Sequence, residues 1–246
     1  MKRWIVLFGG VTLQLILGGV YAWSAFVPAL TQNYGLSNGQ CGLIFGFVIA
    51  VFTIVMIPSG RLLRRLGPRV VASTGACLFA AGYLIASLSG GHFWGLLLGI
   101  GVVSGAGIGA GYVCPLTVAM KWFPNNKGLV TGVAVAGFGG GAVLLSFLVQ
   151  YLIQSVEMDV LIVFRVIGIA FGTVALIAAF LLSEPEQPAD DVEQTGTGAA
   201  RLLPHLFTRE FILLFVGLFG ATFAGLLTVG NLKPILLNDG LTPTLT

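Results

Sequence analysis

The chain has 246 residues, of which 57% are hydrophobic and only 9% charged, with a mean hydropathy of +0.99. A soluble domain carries about 25% charged residues, so the composition excludes a soluble enzyme or binding module and specifies an integral membrane protein. The net charge of +3 is spread over turns rather than gathered into a patch, which excludes nucleic acid as a partner.

Met1-Lys2-Arg3 precedes an apolar run from Trp4 to Leu30. Val20-Tyr21-Ala22 has the form of a small-residue cleavage site, but the run is long enough to span a bilayer and is read as a span. Further spans are expected over Gln40–Leu63, Val70–Leu88, Phe93–Trp122, Gly128–Gln154, Val160–Leu182 and Phe211–Leu237. Several exceed the roughly 20 residues a span needs and are expected to tilt or protrude. Between the second and third spans, the turn Gly60-Arg61-Leu62-Leu63-Arg64-Arg65-Leu66-Gly67-Pro68-Arg69 carries four of the twelve basic residues. Each cation at mid-bilayer costs about 2.5–3.5 kcal/mol, so this turn lies in water. Together with Lys2, Arg3, Lys121, Lys127, Arg201 and Arg209, ten of the twelve basic residues fall on one side of a seven-span topology. The opposite turns, 31–39, 89–92 and 155–159, hold none. That bias predicts a cytoplasmic N-terminus in a cell membrane.

Residues 184–208 form the one long linker, with five of the nine acidic residues and several Pro and Gly. That composition cannot form a core. The expected organisation is a six-helix bundle over 1–183, a cytoplasmic linker over 184–208, and over 209–246 the first helix of a second, incomplete bundle. The ending Gly240-Leu241-Thr242-Pro243-Thr244-Leu245-Thr246 reads like the approach to another helix.

No nucleophile–base pair, metal cluster or phosphate loop is visible, so neither an enzyme nor a cofactor-binding protein is expected. His92 and His205 lie in turns, and Cys41, Cys77 and Cys114 read as small packing residues. Small residues recur every four positions at Gly101, Gly105 and Gly109, at Gly128, Gly132, Ala136 and Gly140, at Gly42, Gly46 and Ala50, and at Gly217, Ala221 and Gly225. Each ladder is a flat helix face that admits a neighbouring backbone, serving either static packing or a rocking interface. In the first span Gln14, Tyr21 and Ser24 share one face, with Pro28 beyond them. Polar groups are costly against lipid, so that face lines the bundle interior or a water-filled cavity. Tyr112 lies beside the helix-breaking Pro115, and Gln150, Tyr151 and Gln154 end the fifth span. Gln14, Tyr21 and Tyr112 make the cavity candidate. Arg165 either snorkels to the outer face or pairs with Glu157 or Asp159, and Lys233, before Pro234, snorkels or meets an anionic substrate.

Gly60-x3-Arg64-Arg65-x-Gly67-x-Arg69 resembles the signature loop of the major facilitator superfamily, with Arg64 where an acidic residue is usual. Three further stretches are similar to the oxalate/formate antiporter family of monocarboxylate carriers. They are Gln14-Leu15 … Gly18-x-x-Tyr21-Ala22-Trp23-Ser24, then Lys121-Trp122-Phe123-Pro124 with Lys127-Gly128, and Gly230-Asn231-Leu232-Lys233-Pro234-Ile235. The resemblance covers about the first 7 of 12 helices. It implies an all-α carrier of two six-helix bundles around a central site, in which Tyr21 and Tyr112 line the site and the loop at Gly60, Arg64, Arg65, Gly67 and Arg69 helps latch one conformation. The implied partners are a small organic anion, an exchanged anion or a proton, and the lipid bilayer, with no ATP. Two rivals remain: a nonfunctional fragment or self-pairing half-carrier, and a seven-helix photoreceptor with retinal on Lys233. Against the photoreceptor, no span offers a buried carboxylate as counter-ion.

Overall fold

The computed structural model describes residues 2–185 and 208–238. Among these every regular element is helical. Six helical segments are long and apolar enough to cross a membrane. One of them, Asn38–Ser87, has 50 residues, about 75 Å at 1.5 Å per residue, or twice a bilayer thickness. It breaks at Gly67, with φ 80° and ψ 165°. That conformation is essentially reserved for glycine, and Pro68 follows where a helix start tolerates it. The segment is therefore two passes, α3 (38–66) and α4 (68–87), and the described residues make seven passes.

The first pass is interrupted. α1 (Lys2–Gly18) gives way to a 3-10 segment (Gly19–Ala25), then to α2 (Val27–Tyr34) with Pro28 in its first turn. Gly35, at φ 68°, stops α2. Ser37 and Gln40 then start α3 with a reciprocal capping box, at 3.2 and 2.9 Å. The remaining passes are α5 (Phe93–Trp122), α6 (Pro124–Ser155), α7 (Val160–Leu181) and α8 (Arg209–Asn238). α5, α6 and α7 each contain a wider stretch of π geometry, at Leu97–Ser104, Tyr151–Ser155 and Ile167–Phe171.

The core lies between α1, α4, α5 and α7. Phe26 meets Phe164 at a tilt, 4.9 Å between ring centres, Phe164 meets Tyr83 at 5.9 Å, and Tyr83 meets Phe79 at 4.8 Å. Buried Trp23 donates its indole N–H to the Cys41 carbonyl at 3.0 Å, tying the 3-10 segment to α3. The seam between α4 and α5 is a close backbone contact that the four-residue ladders did not reveal. A Cβ on Gly75 would lie 2.7 Å from the Gly111 nitrogen, and one on Gly99 would lie 2.6 Å from the Gly82 oxygen.

The basic residues gather at one end. Trp4 packs edge-on to Phe123 at 5.3 Å, with the Arg3 guanidinium 5.8 Å from both rings. The last carbonyls of α7 are held there: Arg69 Nε donates to Leu182 at 2.8 Å, and Trp122 Nε1 donates to Ser183 at 2.6 Å. Lys121 pairs with Glu184 at 2.7 Å. At the opposite end the Tyr34 hydroxyl donates to Asp159 at 2.7 Å.

One expectation is corrected in detail, and one of two alternatives for Arg165 falls away. The arginine-rich stretch expected as a turn is helical through Leu66, and Gly67 alone makes the bend. Arg165 does not pair with Asp159, whose carboxylate accepts from Tyr34 and caps α7 through the Leu161 N–H at 2.8 Å. Among the described residues the ion pair present is Lys121–Glu184, and Arg165 is exposed. The linker expected over 184–208 falls mostly outside the described residues.

Candidate functional site

Gln14 is fully buried on α1 and reaches across to α5, where its Nε2 donates to the Tyr112 carbonyl at 3.3 Å. Pro115 lies within α5 and removes an N–H from that turn of the helix ladder. Gln14 therefore bridges two helices beside a local weakness in one of them. Its Oε1 is buried and accepts no hydrogen bond from the described residues.

One turn further on, α1 and α6 cross with almost no space between them. A Cβ on Gly18 would fall on the Phe138 carbonyl, and one on Gly141 would fall on the Leu15 carbonyl. This crossing seats Phe138, which is 5% exposed, among three other rings. Tyr21 meets it edge-on at 5.5 Å, Tyr112 edge-on at 5.0 Å, and Phe52 of α3 stacks on it at 6.3 Å. Phe52 also meets Tyr112 at 5.3 Å. Four passes thus contribute to one aromatic cluster that touches Gln14 through Tyr112. Tyr21 and Ser24 fall in the 3-10 segment, where residues three apart eclipse, and both are half-buried.

Chemically, the cluster offers two phenol hydroxyls and the positively polarised edges of aromatic rings. Among the described residues no three His, Cys, Asp or Glu side chains gather as a metal would require. Cys41 and Cys114 are buried and Cys77 is exposed, all unpaired.

The structure brings together Gln14, Tyr21 and Tyr112, and adds Phe138 and Phe52, which sequence reasoning missed. A lone ring in Gly137-Phe138-Gly139-Gly140-Gly141 was the available signal. Gly101, Gly105 and Gly109 of α5 face α3: Cβ atoms there would approach Phe47 Cβ at 3.2 Å, the Val48 carbonyl at 3.0 Å and Val55 Cβ at 3.1 Å. Gly128, Gly132 and Gly140 of α6, like Gly42 and Gly46 of α3, have nothing within 4 Å of such a Cβ. Gly217 and Gly225 of α8 are open as well, so the four ladders divide into one packed face and three open ones. Gly60 also faces open space, Arg64 and Arg65 are exposed, and Arg69 reaches α7 as described above. The Lys233 side chain lies outside the described residues. α8 touches the bundle at the 3-10 segment and α3, with Leu226 packed against the core.

Residues 7–244 match the model of the Major Facilitator Superfamily. The chain is 26% identical over 244 residues to the oxalate:formate antiporter of Oxalobacter formigenes, covering 95% of this chain and 55% of that protein. It is 27% identical over 238 residues to YhjX, an uncharacterised transporter of this type from Escherichia coli K12, covering 95% and 58%. It is also 26% identical over 151 residues to monocarboxylate transporter 13 of Rattus norvegicus, covering 61% and 35%. The chain spans little more than half the length of the first two of these relatives. A family match over nearly its whole length, on six apolar passes arranged as a bundle and one following helix, makes this chain a member of the major facilitator superfamily.

Proposed function

We propose that this chain forms the first bundle of a secondary carrier of small organic anions, of the oxalate, formate or lactate type, working by alternating access. The observation that supports it most is the cluster of Tyr21, Phe52, Tyr112 and Phe138 with Gln14 bonded behind it. The similarity to an oxalate:formate antiporter over 95% of the chain agrees with that chemistry. In this reading the two tyrosine hydroxyls donate to a substrate carboxylate, and the aromatic faces enclose its carbon frame. The open glycine faces at Gly42 and Gly46 and at Gly128, Gly132 and Gly140 are the surfaces on which a second bundle rocks. An exchanged anion or a proton gradient drives the cycle. The basic end lies in the cytoplasm of a cell-membrane protein, and Lys233 contributes a cation to the anion path.

The test is uptake of labelled oxalate, formate and lactate into proteoliposomes containing the protein expressed from its complete gene. Tyr21→Phe and Tyr112→Phe each remove one donor to an anion, and each should lower uptake about tenfold or more. Uptake indifferent to both changes defeats the site assignment, and absence of uptake for all three anions in the unaltered protein defeats the substrate class.

A further inference from the structure

At the basic end, a cavity of about 630 Å³ opens between the start of α1 and the end of α7. Lys2 and Arg69 line it, from chain segments far apart in sequence, together with the apolar side chains of Ile5, Val6, Phe180 and Leu181. Ile5 is 51% exposed and Phe180 60% exposed, so the apolar wall continues onto the lipid-facing surface. The cavity's polar groups are otherwise committed. The Trp122 indole N–H is spent on the Ser183 carbonyl, Arg69 Nε on Leu182, and the Glu184 carboxylate on Lys121 at 2.7 Å. Neither Lys2 nor Arg69 forms an ion pair among the described residues, and the one acidic group in the cavity is offset by a cation outside it.

Two cations without counter-ions among the described residues, beside an apolar wall that runs out to the bilayer, match an amphiphile with an anionic head. A free small anion gains nothing from Ile5 and Phe180, whereas acyl chains do. We infer that this cavity binds one anionic phospholipid, its phosphate between Lys2 and Arg69 and its chains along Ile5 and Phe180. The site is separate from the aromatic cluster and stands whether or not the transport reading does. It also differs from general attraction of basic turns to a membrane surface: Arg61, Arg64 and Arg65 are equally exposed and line no cavity described here. The lipid would brace α1 against α7 where Arg69 and Trp122 already hold the end of α7.

The experiment is native mass spectrometry of the 246-residue chain released from detergent, after titration with phosphatidylglycerol or with phosphatidylcholine of the same acyl chains. The expected result is one phosphatidylglycerol retained in preference to phosphatidylcholine. Lys2→Gln should weaken that retention about fivefold, the loss for one cation near a membrane surface, Lys2→Arg should restore it, and Arg64→Gln should leave it unchanged. Phe180→Ser should abolish any preference for long over short acyl chains. Equal retention of the two lipids overturns the inference. So does equal loss in Lys2→Gln and Arg64→Gln, which would assign the effect to diffuse charge. Displacement of phosphatidylglycerol by equimolar inorganic phosphate also overturns it, by showing that the cavity takes the free anion.

Discussion

Gly140 and Gly141 are neighbours on α6, and alanine at the two should act in opposite directions. A Cβ on Gly141 would lie 2.8 Å from the Leu15 carbonyl carbon and closer still to its oxygen, where ordinary contact begins at 3.4 Å. The helices must part by at least 0.6 Å for the carbon alone, and the obstacle is backbone, which cannot rotate away. Overpacking of this kind costs about 1–3 kcal/mol, against about 1 kcal/mol gained from the higher helix propensity of alanine. A Cβ on Gly140 has nothing within 4 Å, so only the propensity gain applies there. Gly141→Ala should therefore destabilise by up to about 2 kcal/mol net, and Gly140→Ala should be neutral or stabilising by up to about 1 kcal/mol. For a chain of this size each kcal/mol moves the melting temperature by about 2–4 °C. Thermal unfolding of the purified chain in detergent, followed by thiol labelling of buried Cys41 and Cys114, reads the difference. Equal shifts for the two variants, or a larger loss at Gly140, would refute the close crossing of α1 and α6, and with it the seat of Phe138.

Gln14→Leu removes one hydrogen bond to Tyr112 but also removes a buried acceptor without a donor. Stability should change by less than about 1 kcal/mol while uptake falls, and a large loss of melting temperature without loss of uptake would contradict the role assigned to Gln14. Burial, followed by the bond to Asp159, pushes the Tyr34 hydroxyl from its ordinary value of 10 up to about 12. The folded chain then keeps a proton that the unfolded chain loses, so stability falls as pH rises through that interval. The advantage of the unaltered chain over Tyr34→Phe should be complete below pH 10 and shrink between 10 and 12; a gap constant over that range in a pH series of melts would exclude the Tyr34–Asp159 bond. Trp122→Phe loses a bond at 2.6 Å and should cost about 0.5–1.5 kcal/mol. Glu184→Gln breaks a pair whose side chains are 36% and 40% exposed and should cost less, within about 0–1 kcal/mol; the reverse order in melting temperature would show that the ion pair, not the indole, holds the end of α7. Gly67→Ala meets no atom within 4 Å yet should destabilise by about 1–3 kcal/mol because of its backbone angles alone, measured by the same melts.

The seven passes were legible because lipid excludes charge, so apolar length and the placement of lysine and arginine write the topology into the sequence almost directly. The place where the second and third passes part was legible from the arginines, whereas the bend itself is confined to Gly67 and the stretch before it stays helical. The interruption of the first pass was not legible: Gly18-Gly19 and Pro28 are compatible with a continuous membrane helix, and it is the crossing by α6 that coincides with the 3-10 segment. The same distinction separates the site residues. Gln14, Tyr21 and Tyr112 were found because polar atoms in an apolar run need a reason, whereas Phe52 and Phe138 look identical to lipid-facing phenylalanines until the three-dimensional crossing is known. A glycine ladder, likewise, declares a flat face without saying what covers it. Gly101, Gly105 and Gly109 are covered by α3, and Gly128, Gly132 and Gly140 by nothing within reach.

Access to the aromatic cluster from each side of the membrane in turn is the claim on which the carrier reading depends. It can be measured by placing single cysteines at Ser24, Asn33 and Asn126 in the complete protein, freed of its native cysteines, and labelling with a membrane-impermeant thiol reagent from either side of oriented vesicles. The account predicts that Asn33 and Asn126 react from opposite sides only, and that Ser24, beside Tyr21 in the half-buried 3-10 segment, reacts from both, with a transported anion slowing each reaction. Labelling of Asn33 and Asn126 from the same side, or of Ser24 from one side only under every condition, would contradict it.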